Sequence, residues 1–400
     1  MSFNTMIVQS GGPTAVINNS LIGIVDGLTS HSFDGEIYGA VGGIYGLLHE
    51  DFISLSSLSA SERYQLRWTP GAALGTWRHK LVETDLEKII QVLKKNQIRY
   101  FFYIGGNGSM NVAKMVDDAA KHAGYELTVI GVPKSIDNDL IGTDHTPGYG
   151  STAKFLATSV LDVNMDMISY PESNGVTIIE TMGRHTGWLA GACSLAEDYL
   201  QGNSQLLIYI PEVPFHMETC LKKLTNAHKE KRNTILVAAE GIRKENGQLV
   251  CDDLAYDALG RPKLGGVSSY LKDTIEEQAD IKARYITASV WQRSSMTLAS
   301  KTDVDEAYKL GIHAVLLAHA AYSGVMVGLK REESDEDYDV SYQKILLSQV
   351  VGKEKFIPRN WYNQKENTMK KEFKSYASPI IQGEMVVPMK EGLPIYQRVI

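Results

Sequence analysis

The sequence predicts an α/β protein with two Rossmann-like lobes, in which mainly parallel sheets are flanked by helices. The main observation is that short apolar segments with strand character alternate with amphipathic helical segments along most of the chain. Such alternation is typical of parallel sheets with helices on both faces. Glycine-rich turns follow several of the predicted strands, as in folds that bind ligands at strand ends. The chain has 400 residues, 44% of them hydrophobic, which exceeds one typical domain and is enough for two cores.

The same patterns suggest how the chain is divided into domains. Residues 1–150 are expected to form a larger N-terminal lobe, to which part of the later chain returns, and residues 151–325 a second lobe. Residues 284–293 are interpreted as the last strand. Because the apolar pattern weakens after residue 340, residues 326–400 are interpreted as a C-terminal extension packed on the lobes.

Composition narrows the class of protein. The formal net charge of -7 argues against nonspecific nucleic-acid binding. A negative net charge is still compatible with a local basic pocket that binds an anion. The three cysteines, Cys193, Cys220 and Cys251, are far apart and lack metal-ligand spacing, which indicates reduced thiols. No leader pattern is seen, and no apolar run reaches the ~18 residues that a membrane span needs. We therefore expect a cytoplasmic protein that binds neither nucleic acid nor membrane.

Two glycine-rich turns join a predicted strand to a predicted helix. Residues 98–104 are apolar and precede Gly-Gly-Asn-Gly-Ser at residues 105–109. Residues 5–9 precede Ser-Gly-Gly at residues 10–12. Glycine allows close approach of the backbone to a ligand, and a helix start offers unpaired N–H groups to an anion. Taken alone, the glycine-rich segment at residues 105–109 is equally compatible with an anion-binding turn and with a tight turn that binds nothing. Two such turns in one lobe favour a phosphate site.

A third loop, residues 70–80, contains two glycines and ends in Arg78, His79 and Lys80. A solvated loop is the simpler interpretation. The adjacent cations favour contact with an anion slightly more.

Residues 133–139, Pro-Lys-Ser-Ile-Asp-Asn-Asp, directly follow the buried strand predicted at residues 127–132. Burial of two carboxylates and a lysine at such a strand end costs free energy unless the charges are paired or take part in binding or catalysis. Asp137 could accept a proton from a substrate hydroxyl, Lys134 could hold a phosphoryl oxygen, and Asp139 could orient the lysine or a metal. The alternative is an Asx-turn with a salt bridge. The position at the end of a parallel strand favours a functional role.

Later strand ends also carry charged residues. Arg184 follows the strand predicted at residues 176–181 and could grip a phosphate oxygen, although an ion pair at the surface is equally compatible. Glu240 follows the strand predicted at residues 234–239.

Together, these turns resemble those of the phosphofructokinase superfamily, the kinases and diphosphate-dependent phosphotransferases of fructose 6-phosphate. The resemblance covers roughly residues 6–321 in motif order and spacing, and residues 133–139 are its most specific part. It implies a transferase of glycolysis and carbohydrate metabolism that uses Mg²⁺ and assembles as a homodimer or homotetramer. It also implies that the N-terminal lobe holds the phosphoryl donor, ATP or diphosphate, and the second lobe holds the sugar phosphate.

The resemblance implies roles for individual residues. Asp137 matches the catalytic base that takes the proton from the sugar 1-hydroxyl, and Asp139 matches the second carboxylate of that motif. Ser135 matches the hydroxyl that touches the transferring phosphoryl group, and Arg184 the arginine that stabilises this group. Arg284 matches an arginine that reaches the sugar phosphate of the neighbouring subunit. The donor and phosphate positions are Gly12, Arg78, Gly106, Asn107, Gly108, Ser109 and Lys134, and the sugar positions are Asp139, Met182, Gly183, Glu240, Arg284 and Arg293.

The donor positions show a mixed pattern. Gly108 leaves room for the α-phosphate of a nucleotide, whereas diphosphate-dependent members usually carry an aspartate there. Lys134 supplies a cation suited to diphosphate, but some ATP users also carry that lysine. We therefore favour ATP as the donor. Asn107 replaces the usual metal-linked aspartate. It keeps an oxygen ligand but loses the charge, so we expect Mg²⁺ to sit differently.

The sugar positions depart further. Gly175 stands where many members place an arginine on the substrate phosphate, and Val290 where a histidine or tyrosine is usual. Each lost charge-assisted hydrogen bond is worth ~1.5–3 kcal/mol. Fructose 6-phosphate remains the default acceptor, and a different sugar, or one without a terminal phosphate, is the alternative. A non-catalytic sugar-phosphate sensor is a lesser alternative. A dinucleotide-binding oxidoreductase is disfavoured, because the first turn lacks the full glycine fingerprint.

Overall fold

The computed structural model describes residues 3–77, 79–170, 175–251, 264–332 and 338–399. The chain forms two compact units. The first consists of Met1–Ser151, Arg293–Lys355 and Gly383–Ile400, and the second of Thr152–Gln292 and Phe356–Gln382. The chain therefore returns to the first unit at Arg293, within the range 151–325 that the sequence assigns to the second lobe.

The first unit is built on a seven-stranded sheet in the order β11-β10-β5-β4-β1-β2-β3. The five inner strands run parallel, and β3 and β11 pair antiparallel at the two edges. This arrangement confirms the predicted α/β class with mainly parallel sheets. The strands are β1 (Asn4–Gln9), β2 (Ile37–Ala40), β3 (Phe52–Ser54), β4 (Ile98–Gly105), β5 (Thr128–Pro133), β10 (Val325–Arg331) and β11 (Val340–Leu346), and a hairpin pairs β14 (Met389–Lys390) with β15 (Leu393–Pro394).

Helices cover both faces of this sheet. Successive side chains of a strand point to opposite faces, so Phe101 and Tyr103 pack in one apolar layer and Phe102 and Ile104 in the other. The first layer is completed by α2, α4, α5 and α12, and the second by α1 and α11. The helices of this unit are α1 (Ile17–Ser30), α2 (Ile44–His49), α3 (Ala60–Arg67), α4 (Glu83–Lys95), α5 (Asn107–His122), α6 (Tyr149–Ile168, which continues into the second unit), α11 (Lys301–His319) and α12 (Leu347–Val350), with a 3₁₀ helix at Met296–Leu298.

Two glycines allow α1 and α11 to pack backbone against backbone. A Cβ atom added at Gly23 would lie 2.0 Å from the carbonyl oxygen of Tyr308. One added at Gly311 would lie 2.4 Å from the carbonyl oxygen of Ser20. Both distances are far below van der Waals contact, so neither position accepts a side chain without moving a helix.

The second unit contains an all-parallel sheet in the order β7-β8-β6-β9. Glu180, on the central strand β6, is buried and accepts hydrogen bonds from the backbone N–H groups of Gly266 (3.2 Å) and Ser268 (2.9 Å). Its carboxylate thereby satisfies unpaired donors at the start of α9. The elements are β6 (Val176–Thr181), β7 (Ser204–Tyr209), β8 (Asn233–Ala239), β9 (Ala283–Thr287), β12 (Tyr362–Asn363), β13 (Thr368–Met369), α7 (Trp188–Ala192), α8 (Met217–Lys229), α9 (Val267–Ala279), α10 (Trp291–Ser294, whose last two residues belong to the first unit) and α13 (Lys371–Ala377), with 3₁₀ helices at Cys193–Tyr199, Arg359–Trp361 and Ser378–Ile381.

Two expectations about the later chain need correction. The strand predicted at residues 284–293 ends at Thr287, and the short helix α10 follows. This strand, β9, is not the last strand of the chain, because β10 and β11 follow it. These two strands belong to the sheet of the first unit, whereas the sequence pattern assigns their residues to a C-terminal extension. The edge strand β11 is partly exposed along most of its length, which explains its weak apolar pattern.

Among the described residues, no helix is both long enough and apolar enough to cross a bilayer.

Candidate active site

The two glycine turns and the polar motif lie at the carboxyl ends of β1, β4 and β5, which are adjacent in the first sheet. The ammonium of Lys134 donates a hydrogen bond to the carbonyl oxygen of Gly12 (2.7 Å). The backbone N–H of Lys134 donates to the carbonyl oxygen of Gly105 (2.9 Å). Lys134 therefore connects the turns that the sequence predicts to bind phosphate.

Lys134 is a buried cation. Only 3% of the residue is exposed, and loss of hydration lowers the pKa of its ammonium to about 8, while Asp137 and Asp139 act in the opposite direction and Arg293 adds to the lowering. The group therefore keeps its charge at neutral pH. A dehydrated cation beside a glycine turn is suited to hold an anion.

Arg293 contacts the first glycine turn. A Cβ atom at Gly12 would lie 2.8 Å from a guanidinium nitrogen of Arg293. The sequence predicts Arg293 as a sugar contact, and the structure places it beside Gly12 in the first unit.

The carboxylate of Asp139 is held at both of its oxygens. The Ser135 hydroxyl donates to one (2.9 Å), and the Asn107 amide donates to the other (2.8 Å). The Ser135 hydroxyl also accepts from the backbone N–H of Asp137 (3.2 Å). Asp139 is therefore suited to orient Ser135 and Asn107, and these bonds fix the start of the turn that carries Asp137.

The structure places four of the predicted donor positions at the start of α5. Asn107 turns its amide nitrogen to Asp139, and its side-chain oxygen is buried without a hydrogen-bond partner. Gly108 is open, because a Cβ atom there would meet nothing within 4 Å. Gly106 precedes the helix as its N-cap, and Ser109 is buried against Gly105. Arg78 lies outside the described residues.

Asn138 and Lys355 belong to the same site but were not singled out from the sequence. Asn138 has a left-handed backbone (φ +53°) and is fully buried between the two aspartates. Its side-chain oxygen accepts from the backbone N–H of Thr146 (3.1 Å) and from the Lys355 ammonium (3.0 Å). Asparagine tolerates this conformation better than most residues, which is a usable sequence signal. Lys355 gives no such signal, because it lies 217 residues further along the chain.

In the second unit, two strand ends bring together four of the predicted residues. Met182, Gly183 and Arg184 follow β6, and Glu240 follows β8, its neighbour in the sheet. The N–H of Gly241 donates to the carbonyl oxygen of Gly183 (3.1 Å). The two turns are packed closely, since a Cβ atom at Gly241 would lie 2.0 Å from the carbonyl oxygen of Arg184.

Arg284 does not join this group within the second unit. It lies near the start of the edge strand β9, where its guanidinium pairs with Asp166 and donates to the Thr177 hydroxyl (2.9 Å). Gly175 precedes β6, and the half-exposed Val290 follows β9. Neither of these two positions offers a cation to an anionic ligand.

Comparison with known proteins gives consistent results. A family model described as "Phosphofructokinase" matches residues 4–318. A pyrophosphate–fructose 6-phosphate 1-phosphotransferase from Halomonas elongata is 38% identical and covers 98% of this chain and 94% of its own. A sulfofructose kinase from Alkalicoccus urumqiensis is 34% identical and covers 90% and 92%, respectively. A solved structure, the pyrophosphate-dependent phosphofructokinase from Nitrosospira multiformis, is 33% identical with a TM-score of 0.90 and covers 100% and 96%.

Proposed function

Because the chain belongs to the phosphofructokinase family, we propose that it transfers a phosphoryl group from diphosphate to the 1-hydroxyl of fructose 6-phosphate. The observation that carries this proposal is the buried ammonium of Lys134, held beside the first glycine turn at the ends of three parallel strands. The names of the relatives from Halomonas elongata and Nitrosospira multiformis support the donor, and that of the Halomonas protein the acceptor.

The donor proposal departs from the preference for ATP that the sequence suggested. That preference rested on Gly108, which leaves space for a nucleotide but does not exclude a smaller donor. Diphosphate lacks the base and ribose that position ATP, so its binding depends on charge. Lys134, with Arg293 close to the same turn, supplies that charge.

The proposed mechanism relies on positioning and on neutralising charge, as in phosphoryl transfer generally. Asp137 acts as the general base on the 1-hydroxyl. Ser135 donates its hydroxyl to the transferring phosphoryl group when substrate is bound, whereas without substrate the same O–H donates to Asp139. Arg184 stabilises the charge of the phosphoryl group. The remaining sugar contacts are proposed to come from Met182, Gly183, Glu240 and Arg284.

A Mg²⁺ ion is proposed to arrive with the phosphates. The described residues contain no cluster of three histidine, cysteine, aspartate or glutamate side chains that could hold a metal alone. Mg²⁺ at phosphate sites usually takes only one or two protein oxygens and keeps several waters. The unpartnered oxygen of Asn107 fits such a ligand. The ion would supply positive charge to the phosphate oxygens.

The function is tested by replacing the proposed base. Asp137→Asn should lower kcat by ~10²–10⁴-fold, the usual contribution of general acid–base catalysis, with little change in the melting temperature. The assay pairs diphosphate or ATP with fructose 6-phosphate in the presence of Mg²⁺. Asp51→Asn, an exposed aspartate in the same unit, is the matched control and should keep full activity. Full activity of Asp137→Asn would overturn the proposal, and ligand-induced thermal shifts without turnover by the unmodified chain would indicate a sensor.

A second candidate is an ATP-dependent kinase of a sugar that carries a sulfonate in place of the terminal phosphate. Gly175 and Val290 lack side chains that could bind a phosphate, and one relative is named a sulfofructose kinase. A sulfonate carries one negative charge, whereas a phosphate monoester carries about 1.5 to 2 at neutral pH, so it needs fewer cationic contacts. The space at Gly108 admits a nucleotide. A higher kcat/KM for 6-deoxy-6-sulfofructose with ATP than for fructose 6-phosphate with diphosphate would establish this candidate over the first.

A further inference from the structure

Lys355, from the C-terminal part of the first unit, contacts the turn that carries Asp137 and Asp139 by two routes. Its backbone N–H donates to the carbonyl oxygen of Asp139 (2.8 Å). Its ammonium donates to the side-chain oxygen of Asn138 (3.0 Å). The contacts therefore reach the two residues that directly follow the proposed base.

The remaining contacts of the ammonium leave it no donor for a substrate. It also donates to the carbonyl oxygens of Asp144 (2.6 Å) and Thr143 (3.4 Å). A lysine ammonium has three N–H groups, and Asn138, Asp144 and Thr143 accept all three. Lys355 is thus placed to fix protein groups, not to bind a ligand.

Asn138 is the part of the turn that most needs such support. A left-handed backbone costs a residue other than glycine roughly 1 kcal/mol or more, and it persists only where the surroundings hold it. Two donors, the N–H of Thr146 and the ammonium of Lys355, converge on the Asn138 oxygen. If Lys355 is lost, one of these contacts and the bridge to residues 143–144 disappear together.

We propose that Lys355 is a positioning residue that holds the turn of Asp137, Asn138 and Asp139 in its reactive conformation through Asn138. The consequence for catalysis rests on the proposed function, whereas the consequence for the conformation of the turn does not. Loss of hydration lowers the pKa of the Lys355 ammonium to about 7, while Asp144 and Asp139 favour the charged form and Arg331 opposes it. Removal of the hydrogen bonds of this side chain should therefore loosen the turn and leave the sheets intact.

Hydrogen exchange tests the conformational part without any assay of activity. In Lys355→Met, amides of residues 135–147 should exchange faster by roughly tenfold or more, because the local opening of this turn becomes easier. Protection in β1 and β4 should not change. Lys353→Met, an exposed lysine two residues earlier, is the matched control and should exchange like the unmodified chain. Unchanged protection of residues 135–147 in Lys355→Met would overturn the proposal, whatever reaction the protein catalyses.

Kinetics test the catalytic part. Lys355→Met should lower kcat by ~10–100-fold with little change in the KM of the donor, since a misplaced base slows the chemical step. Asn138→Gly keeps the left-handed backbone and removes the contact with Lys355 together with that of the Thr146 N–H, so its effect should be at least as large. The double variant should be no worse than the poorer single variant. An unchanged kcat in Lys355→Met, or losses of kcat that add up in the double variant, would overturn the proposal for Lys355. If the unmodified chain shows no turnover but Lys355→Met still alters hydrogen exchange, only the proposed function is overturned.

Discussion

At the scale of single residues, the charge of Lys134 sets a pH limit on the proposed binding of diphosphate. Burial lowers the pKa of the ammonium from its ordinary value to about 8. The lysine is therefore charged below about pH 8 and loses its proton as the pH rises through that value. Only the charged form can form a charge-assisted hydrogen bond with a phosphate oxygen.

We accordingly expect kcat/KM for diphosphate to fall above about pH 8, because this parameter reports groups of the free enzyme. Lys134→Met should lower kcat/KM by ~10–100-fold below that pH, the value of one charge-assisted contact, and should lack the decline above it. Lys88→Met, an exposed lysine on α4, should keep both the activity and the decline. If kcat/KM of Lys134→Met also falls above that pH, the group that loses its proton there is not Lys134.

At the scale of elements, the close packing of α1 and α11 depends on the absence of side chains at Gly23 and Gly311. The helix of α11 would itself favour alanine over glycine by roughly 0.5–1 kcal/mol. The added Cβ atom, however, would lie 2.4 Å from a backbone oxygen and 2.8 Å from a backbone nitrogen of α1. Backbone atoms cannot rotate away as side chains do, so the two helices would have to separate.

Gly311→Ala should therefore destabilise the protein by ~1–3 kcal/mol, the usual cost of overpacking. The measurement is the midpoint of thermal or denaturant unfolding. Gly108→Ala is the matched control, because Gly108 is also helical but a Cβ atom there meets nothing within 4 Å. It should be neutral or slightly stabilising. A Gly311→Ala protein as stable as Gly108→Ala would show that α1 and α11 adjust without cost.

At the scale of the whole molecule, the sheet of the first unit depends on strands that follow the second unit in the chain. The family model matches residues up to 318, yet β10 and β11 come later and pair with β5 and with each other. A chain that ends at residue 324 would lack both strands and would expose the edge of β5. It would also lack Lys355.

We expect such a truncated chain to show no cooperative thermal unfolding, measured by circular dichroism, and to elute as an aggregate on size exclusion. A chain that ends at Gln382 is the control. It keeps both main sheets and loses only the last segment of the first unit, with the small hairpin of β14 and β15. It should unfold cooperatively. Cooperative unfolding of the shorter chain would mean that β10 and β11 are dispensable.

The sequence predicted what local patterns determine and missed what distant segments contribute. Strands such as β1 and β4 were predicted with their glycine turns, because the strand, the turn and the helix of each unit are formed by consecutive residues. The turns that carry Gly12 and Lys134 were both predicted as phosphate positions, but the contact between the two residues was not predicted. The role of Lys355 at Asn138 could not be predicted, since nothing near residue 355 signals its partner. The membership of β11 in the first sheet was obscured because it is a partly exposed edge strand.

The order of strands in the first sheet also has a consequence for how the protein is made. Strand β5 ends at Pro133, and its neighbour β10 begins at Val325. At the ~5–20 residues per second of protein synthesis, the ribosome needs about 10–40 s to reach β10 after it has completed β5. Throughout that time the nascent chain offers an unpaired strand edge of the kind that promotes association with other chains. We therefore expect the yield of this protein in a cell to depend on translation speed and chaperones more than its final stability would suggest.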